Sequence, residues 1–295
     1  MKKILIFGSH HTVLKVKTDE IVQGNKDFDI SNTNESVSGG GYFSAFFLEQ
    51  LDLPYTIAVT CGKGVYGDYA YEVAQKEGIQ LIQNDGLSGC VYQVEDPSKN
   101  QTMLCVPGSE YALDKDLFAQ IDREEYACAI VYAEMLASDT AEEIVAILSY
   151  LDLPIYLVFD HRTMEIHPDA LGELYDLSPI VIMDKKEASE LYMDEDMSLD
   201  RILDDIYADA NNTVYLSDNG VGIYRYDGED RMVIECDDAV DSNIFGIAIA
   251  VARTMQIDEK NAFAFACEVA QNTLEDIKTN KEYIKNRLTT MIVYK

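Results

Sequence analysis

The chain alternates short apolar runs of strand-forming residues with longer stretches that have a helical pattern. Parallel strands need a long crossover connection, which is usually a helix, so this alternation predicts a doubly wound parallel sheet with helices on both faces. We therefore predict an α/β fold, a three-layer α/β/α sandwich with a mainly parallel sheet, in which residues 1–295 form a single domain. The apolar runs lie at residues 3–7, 55–59, 128–132, 155–159, 180–183 and 213–216.

Two segments interrupt this alternation. Residues 9–37 are polar and partly alternating, and residues 88–108 contain two strand-type runs around the turn-forming sequence Asp96-Pro97-Ser98-Lys99-Asn100. The simpler interpretation of the second segment is an ordinary surface hairpin. We predict instead that the two segments, about 9–37 and 88–108, pair to form a small β-lid beside the main sheet.

Charge and cysteine content limit the partners of the chain. The net charge of −30 repels phosphate backbones and anionic lipid headgroups, so we expect neither nucleic acid nor a membrane as partner. The six cysteines form no C-x-x-C pair and lie mostly in apolar runs, which predicts buried free thiols and a reduced, cytoplasmic location. No apolar segment reaches the length that spans a membrane.

A glycine turn, Ser38-Gly39-Gly40-Gly41, leads into the first helical segment, and a second glycine-rich stretch follows at residues 62–69. In this order the two motifs resemble the ribokinase-like, pfkB-type carbohydrate kinases, whose Gly-Gly turn holds the hydroxyls of a sugar. The resemblance implies that Gly39, Gly40 and Gly41 contact a sugar or nucleoside. A strand-to-helix turn that requires positive φ explains these glycines equally well.

Three later motifs fit the same family. Asp160 with Arg162 resembles its D-x-N-x-R, residues 184–187 (Asp-Lys-Lys-Glu) resemble its N-x-x-E, and residues 214–220 resemble its V-T-x-G-x-x-G nucleotide strand. The resemblance extends over nearly the whole chain and implies ATP as a cofactor. Asp160 and Arg162 line the site in this interpretation, and a surface ion pair is the alternative.

The resemblance assigns roles to three of these residues. It implies that Ser217 and Gly220 contact the nucleotide, although the family prefers Gly at the position of Ser217. It also implies that Glu187 binds Mg through water. The alternative for Glu187 is an acid in the first turn of a helix, where it complements the helix dipole.

The catalytic segment of the family has no full counterpart here. Family members carry D-T-x-G-A-G-D before a long helix, and its last Asp takes the proton of the sugar hydroxyl. This chain reads Asp241-Ser242-Asn243-Ile244-Phe245, which matches the start and the end but omits G-A-G-D. Asp241 is only a weak candidate base, with Asp237 and Asp238 upstream. Ser242 or Asn243 is the expected helix N-cap, and the helix N-terminus at Asn243 could bind a phosphate.

The sugar side departs from the family as well. The family has an acid near Gly8 that grips the sugar, whereas this chain has Ser9-His10-His11. Neighbouring strand residues point to opposite faces, so shared metal ligation by His10 and His11 is awkward, and we assign His11 to ligand contact.

Two functions of different class follow. One is ATP-dependent phosphorylation of a sugar or nucleoside hydroxyl. The other is a catalytically impaired relative that binds a sugar, nucleoside or nucleotide without phosphoryl transfer. The resemblance also implies a homodimer formed through the lid.

Overall fold

The main sheet has eight strands in a computed structural model that describes residues 1–19, 30–160, 162, 165–194, 196–236 and 239–293. Their order is β14-β13-β12-β11-β10-β9-β1-β4, and all neighbouring pairs from β12 to β4 are parallel. The strands are β1 (Lys3–Phe7), β4 (Tyr55–Ile57), β9 (Tyr126–Tyr132), β10 (Ile155–Val158), β11 (Ile180–Asp184), β12 (Val214–Asp218), β13 (Gly222–Tyr226) and β14 (Arg231–Glu235).

Helices flank this sheet and cover the apolar side chains of its strands. Helices α1 and α9 pack against β1, β9 and β10, while α7 and α8 pack against β11 and β12. The predicted α/β sandwich with a mainly parallel sheet is therefore confirmed. The helices are α1 (Gly40–Gln50), α2 (Gly64–Lys76), α3 (Lys115–Phe118), α4 (Ala133–Leu136), α5 (Ala141–Leu151), α6 (Pro168–Tyr175), α7 (Lys185–Leu191), α8 (Leu199–Ala210), α9 (Ser242–Thr254), α10 (Glu259–Ala270), α11 (Leu274–Thr279) and α12 (Lys281–Val293).

The central strands are buried on both faces, which is why they are continuous apolar runs in the sequence. Residues 4–7 of β1 and residues 129–132 of β9 are all 0% exposed. The outermost strand β14 instead alternates exposed and half-buried side chains, as an edge strand does.

A second sheet has the order β3-β2-β7-β8. Its strands come from the two segments that interrupt the β/α alternation: β2 (His11–Thr18), β3 (Ile30–Ser38), β7 (Cys90–Glu95) and β8 (Gln101–Val106). Asp96 closes the β7–β8 turn, because its Oδ1 accepts the amides of Ser98 and Asn100 at 2.8 and 2.9 Å. A short pair, β5 (Cys61–Lys63) with β6 (Gln83–Leu87), completes the strands.

The cysteines lie mostly in the interior of the protein. All six cysteines are free, and all but Cys105 are buried. Within the described part of the chain, none of the helices combines the length and apolar character needed to cross a membrane.

Candidate functional site

The site is formed where the parallel strands end. The carboxyl ends of β1, β9, β10, β11 and β12 lie along one edge of the sheet, which is where open α/β sheets bind ligands. The first polar side chains at those ends are Ser9, Glu134, Asp160, Asp184 and Ser217.

Glu134 organises the side of the site that the resemblance assigns to a sugar. Its Oε1 accepts the amide and the hydroxyl of Ser9, both at 2.8 Å, and the amide of Gly40 at 3.2 Å. Ser9 Oγ also lies 2.8 Å from His11 Nδ1. The Glu134 side chain is buried, so these polar groups of the glycine turn are satisfied within the protein. The sequence gives no local signal for Glu134, because its partners are far away in the chain.

The glycine turn is required by close packing. Gly39 has φ of 110° at the N-cap of α1, and a Cβ on it would lie 2.3 Å from the Ser9 carbonyl oxygen. A Cβ on Gly40 would lie 2.0 Å from the ring of Tyr132. The Tyr132 hydroxyl is 2.6 Å from Ser44 Oγ, which fixes the ring over the turn. These contacts support the interpretation of the glycines as a strand-to-helix turn.

The two adjacent histidines have different surroundings. His11 contacts Ser9, whereas His10 packs edge-on against Tyr42 with ring centroids 6.1 Å apart. Burial, together with the neighbouring His11, lowers the pKa of His10 to about 3, so its ring is neutral at physiological pH. The described residues contain no group of three or more His, Cys, Asp or Glu suited to a metal ion.

Asp160 and Arg162 are both buried beside Glu134. Asp160 accepts the amide of Glu134 at 3.1 Å and the amide of Arg162 at 2.8 Å. The Arg162 guanidinium pairs with Glu165 at 2.6 Å and lies 5.3 Å from the centre of the Tyr111 ring. Arg162 therefore pairs with Glu165, and Asp160 orders the backbone at the ends of β9 and β10.

A cavity of about 900 Å³ opens at the ends of β11 and β12. Ser217 lies in its wall, and its buried Oγ has no hydrogen-bond partner among the described residues. A nucleotide fits this cavity, because it could satisfy Ser217, and Ser217 with the neighbouring lysines would hold it. Gly220 has φ of 78° in the β12–β13 turn and is not part of the wall. The wall consists of Asp184, Lys185, Lys186, Ser189, Glu190, Met193, Ser217, Asp218 and Asn219.

Lys185 and Asn219 also line the cavity, although the resemblance assigns them no role. Lys185 Nζ pairs with Asp218 at 3.1 Å, so the cavity wall contains a cation that is already paired. Lys185 lies inside the Asp-Lys-Lys-Glu motif at the end of β11, and this position in the sequence indicates that it lies near the site.

Glu187 forms a capping box with Asp184 at the start of α7. Its Oε2 accepts the Asp184 amide, and Asp184 Oδ1 accepts the Glu187 amide, both at 2.7 Å. Burial, and then the charge of Asp184, raises the pKa of Glu187 to about 8. The carboxyl of Glu187 therefore caps α7, and its contact with Mg through water stays a prediction.

The N-terminus of α9 is capped by Asp241. Its Oδ1 accepts the amides of Asn243 and Ile244 at 2.9 and 3.2 Å. The N-cap is therefore Asp241, and the prediction of Ser242 or Asn243 was wrong. An Asp accepts these amides as well as Ser or Asn does and adds charge that complements the helix dipole. Asp237 and Asp238 lie outside the described residues.

This helix end adjoins the nucleotide side of the site. Ser217, Ser242 and Phe245 line a void of about 10 Å³ between β12 and α9. The buried Phe245 ring packs against Tyr215 at 5.2 Å, and it therefore fills core space beneath the helix end.

No protein-family model matches the sequence, and a sequence search finds no matching curated protein. Solved structures do match over almost the whole chain. Ribokinase from Arabidopsis thaliana, complexed with ribose and ATP, aligns with a TM-score of 0.78 at 14% identity and covers 100% of this chain and 99% of its own.

Two bacterial proteins are similar to the same degree. Ribokinase from Thermotoga maritima has a TM-score of 0.75 at 15% identity and covers 99% of this chain and 100% of its own. A nucleoside kinase from Burkholderia thailandensis, in complex with inosine, has a TM-score of 0.73 at 14% identity, with 99% and 98% covered. At these identities the likeness establishes architecture, and the chain has the ribokinase-like, pfkB-type fold.

Proposed function

We propose that the chain is a divergent relative of the sugar and nucleoside kinases that binds a nucleotide, sugar or nucleoside without transferring a phosphoryl group. The observation that carries this proposal is the cap of α9. Phosphoryl transfer needs free amides that stabilise charge on the transferring group and a base that accepts the hydroxyl proton. Here the carboxylate of Asp241 already holds the amides of Asn243 and Ile244.

The sugar side supports the same conclusion. Glu134 accepts the amides of Ser9 and Gly40, and Tyr132 covers the glycine turn. A hydroxyl of a ligand would have to displace a buried, charge-assisted hydrogen bond at this point, which is costly. The groups that would position an acceptor are thus engaged with the protein itself.

ATP-dependent phosphorylation of a sugar or nucleoside is the second candidate function. The cavity of about 900 Å³ beside Ser217 favours it, because a nucleotide fits there. Structures of the same fold hold ribose with ATP, or inosine. Ribose, ATP and inosine are therefore the ligands to test in distinguishing a binding protein from a kinase.

The experiment combines a binding measurement with a transfer measurement. Thermal unfolding is recorded with ATP, ribose and inosine, each with and without Mg, and ADP formation is measured for every acceptor. We expect at least one ligand to raise the melting temperature, since a ligand at about 100 times its Kd adds roughly 2.7 kcal/mol. We expect no ADP formation that depends on an acceptor; such formation would establish the kinase instead.

A variant tests the α9 cap directly. Asp241→Gly frees the amides of Asn243 and Ile244 and removes a negative charge, while Gly remains an acceptable N-cap. ATP affinity should rise roughly tenfold, as expected for recovery of a charge-assisted contact at a helix N-terminus. Asp258→Gly makes the same change at the N-cap of α10 and should leave ATP affinity unaltered. Equal ATP affinities of the two variants would mean that the cap of α9 does not limit nucleotide binding.

A further inference from the structure

A second large cavity lies far from the carboxyl edge of the sheet. Its volume is about 710 Å³, and it runs along the outer side of β4 towards the amino ends of β1 and β9. Lys3, Pro54 and Tyr126, which stand at the starts of those strands, are part of its wall. The candidate site at the strands' carboxyl ends uses none of these residues.

The floor of this cavity is an unpaired strand edge. Among the described residues, β1 is the one strand that pairs with β4; Ile4 N donates to Pro54 O at 3.2 Å and Ala58 N donates to Ile6 O at 2.8 Å. Backbone groups alternate direction along a strand, so Tyr55 and Ile57 turn their N–H and C=O groups away from β1. Those groups face the cavity.

Further along the chain, this outward side is used by a parallel segment, because Cys61 N donates to Ile82 O at 2.9 Å and β5 pairs in parallel with β6. Ala58 and Thr60 pair instead on the side that faces β1, where Asp114 N donates to Ala58 O and Thr60 N donates to Ala112 O, both at 2.9 Å. Among the described residues, no strand pairs with the outward side of Tyr55–Ile57. An extended peptide would fit along that stretch of β4.

The charges around the edge select the kind of peptide. The wall contains five acidic residues, namely Glu49, Asp114, Asp116, Asp122 and Glu125, against the single base Lys3. Lys3 is itself paired with Glu125 at 2.7 Å. A second copy of this chain, with a net charge of −30, would be repelled from such an edge.

Apolar residues between the acids supply the remaining part of the surface. Ile82 is 55% exposed in the wall, and Leu117 and Ile121 stand opposite the strand segment in the same cavity. We propose that the β4 edge binds an extended basic peptide by strand addition, with its main chain on Tyr55 and Ile57, apolar side chains against Ile82, and Lys or Arg towards the acids. Strand addition takes affinity from main-chain hydrogen bonds and specificity from alternate side chains.

The test uses a fluorescein-labelled peptide of the sequence Lys-Val-Lys-Val-Lys-Val and the full chain, followed by fluorescence anisotropy at about 0.15 M salt. A peptide with the same charge and N-methylated valines lacks half of its main-chain donors. We expect it to bind roughly tenfold more weakly, the equivalent of one to two hydrogen bonds. Hydrogen exchange at Tyr55 and Ile57 should slow in the presence of the unmodified peptide.

Two charge variants separate this site from general attraction to an acidic protein. Asp116→Lys lies in the cavity wall, and Asp169→Lys makes the same change on the exposed start of α6. Asp116→Lys should weaken binding at least about fivefold more than Asp169→Lys does, because screening confines the effect to nearby charges. Equal binding of the methylated peptide, equal effects of the two variants, unaltered exchange at Tyr55 and Ile57, or no binding at all would each overturn the proposal.

Discussion

Three acidic side chains, Glu134, Glu187 and Asp241, hold backbone amides around the candidate site. An amide left without a partner at such a junction would be costly, so each acid satisfies a donor that the local element leaves open. Each of these acids fixes a junction between elements: Glu134 joins β1 to α1, Glu187 closes the start of α7, and Asp241 closes the start of α9. Glu187 and Asp241, to which the resemblance assigns chemical roles, therefore each hold a backbone amide of the protein.

The pH dependence of stability tests this view of Glu187. Its folded pKa of about 8 lies above the ordinary value of 4.5, so the folded chain keeps a proton that the unfolded chain releases. The free energy of unfolding should then fall as pH rises from about 4.5 to about 8, and this loss should be absent in Glu187→Gln. Gln still accepts the Asp184 amide in a capping box.

The measurement is urea unfolding of the wild type and Glu187→Gln at pH 5 and at pH 8. The variant should gain stability relative to the wild type at the higher pH. Glu173→Gln, on the exposed side of α6, is the matched control and should run parallel to the wild type at both pH values. Parallel behaviour of Glu187→Gln would mean that the Glu187 carboxyl ionises normally in the folded chain.

At the scale of elements, α1 is positioned by contact between backbones. It begins at Gly40 directly after β3 ends at Ser38, and Tyr42 N donates to the Ser9 carbonyl at 3.2 Å. The ring of Tyr132, at the end of β9, lies against the first turn of the helix. The junction thus joins β1, β9 and α1 without room for a side chain at Gly40.

Gly40→Ala tests the packing of this junction. A methyl group there meets the Tyr132 ring, and overpacking of this kind costs typically 1–3 kcal/mol. Gly172→Ala is the matched control, because Gly172 lies on the exposed side of helix α6 and a Cβ on it meets nothing within 4 Å. Ala at position 172 should raise the free energy of unfolding by up to about 1 kcal/mol, because Ala has a higher helix propensity than Gly. Chemical unfolding of the two variants should give changes of opposite sign; a neutral Gly40→Ala would show that the junction yields.

Local patterns predict the elements better than they predict the site. The central strands are predictable because burial on both faces makes them continuous apolar runs. The apolar pattern places the start of α1 at residue 42, whereas the helix begins at Gly40. Helix α12 is not predicted, although its buried residues Ile284, Leu288 and Met291 have a helical spacing. Glu134 is beyond local inference, since the residues it binds, Ser9 and Gly40, are 125 and 94 positions away.

At the scale of the whole molecule, charge and strand edges govern association. The net charge of −30 makes copies of the chain repel one another at low salt. At high salt the screening length is shorter, and this repulsion is weaker. Among the described strands, the outermost are β4 and β14 in the main sheet and β3 and β8 in the second sheet. An exposed edge with apolar side chains invites pairing with another chain.

We predict that the chain forms a homodimer through the edge strand β8 of the second sheet. Leu104 and Val106 on this strand are 54% and 51% exposed, and burying them against a second copy would remove apolar surface from water. Light scattering should report twice the mass of the monomer at about 0.5 M salt and a smaller dimer fraction at about 0.05 M, since screening reduces the repulsion. Leu104→Asp should give a monomer at both salt concentrations. Val233→Asp, at a side chain that is 52% exposed on the edge strand β14 of the main sheet, should leave the dimer intact. A monomeric wild type at high salt would contradict the predicted dimer. A dimer that only Val233→Asp disrupts would place the interface at β14 instead of β8.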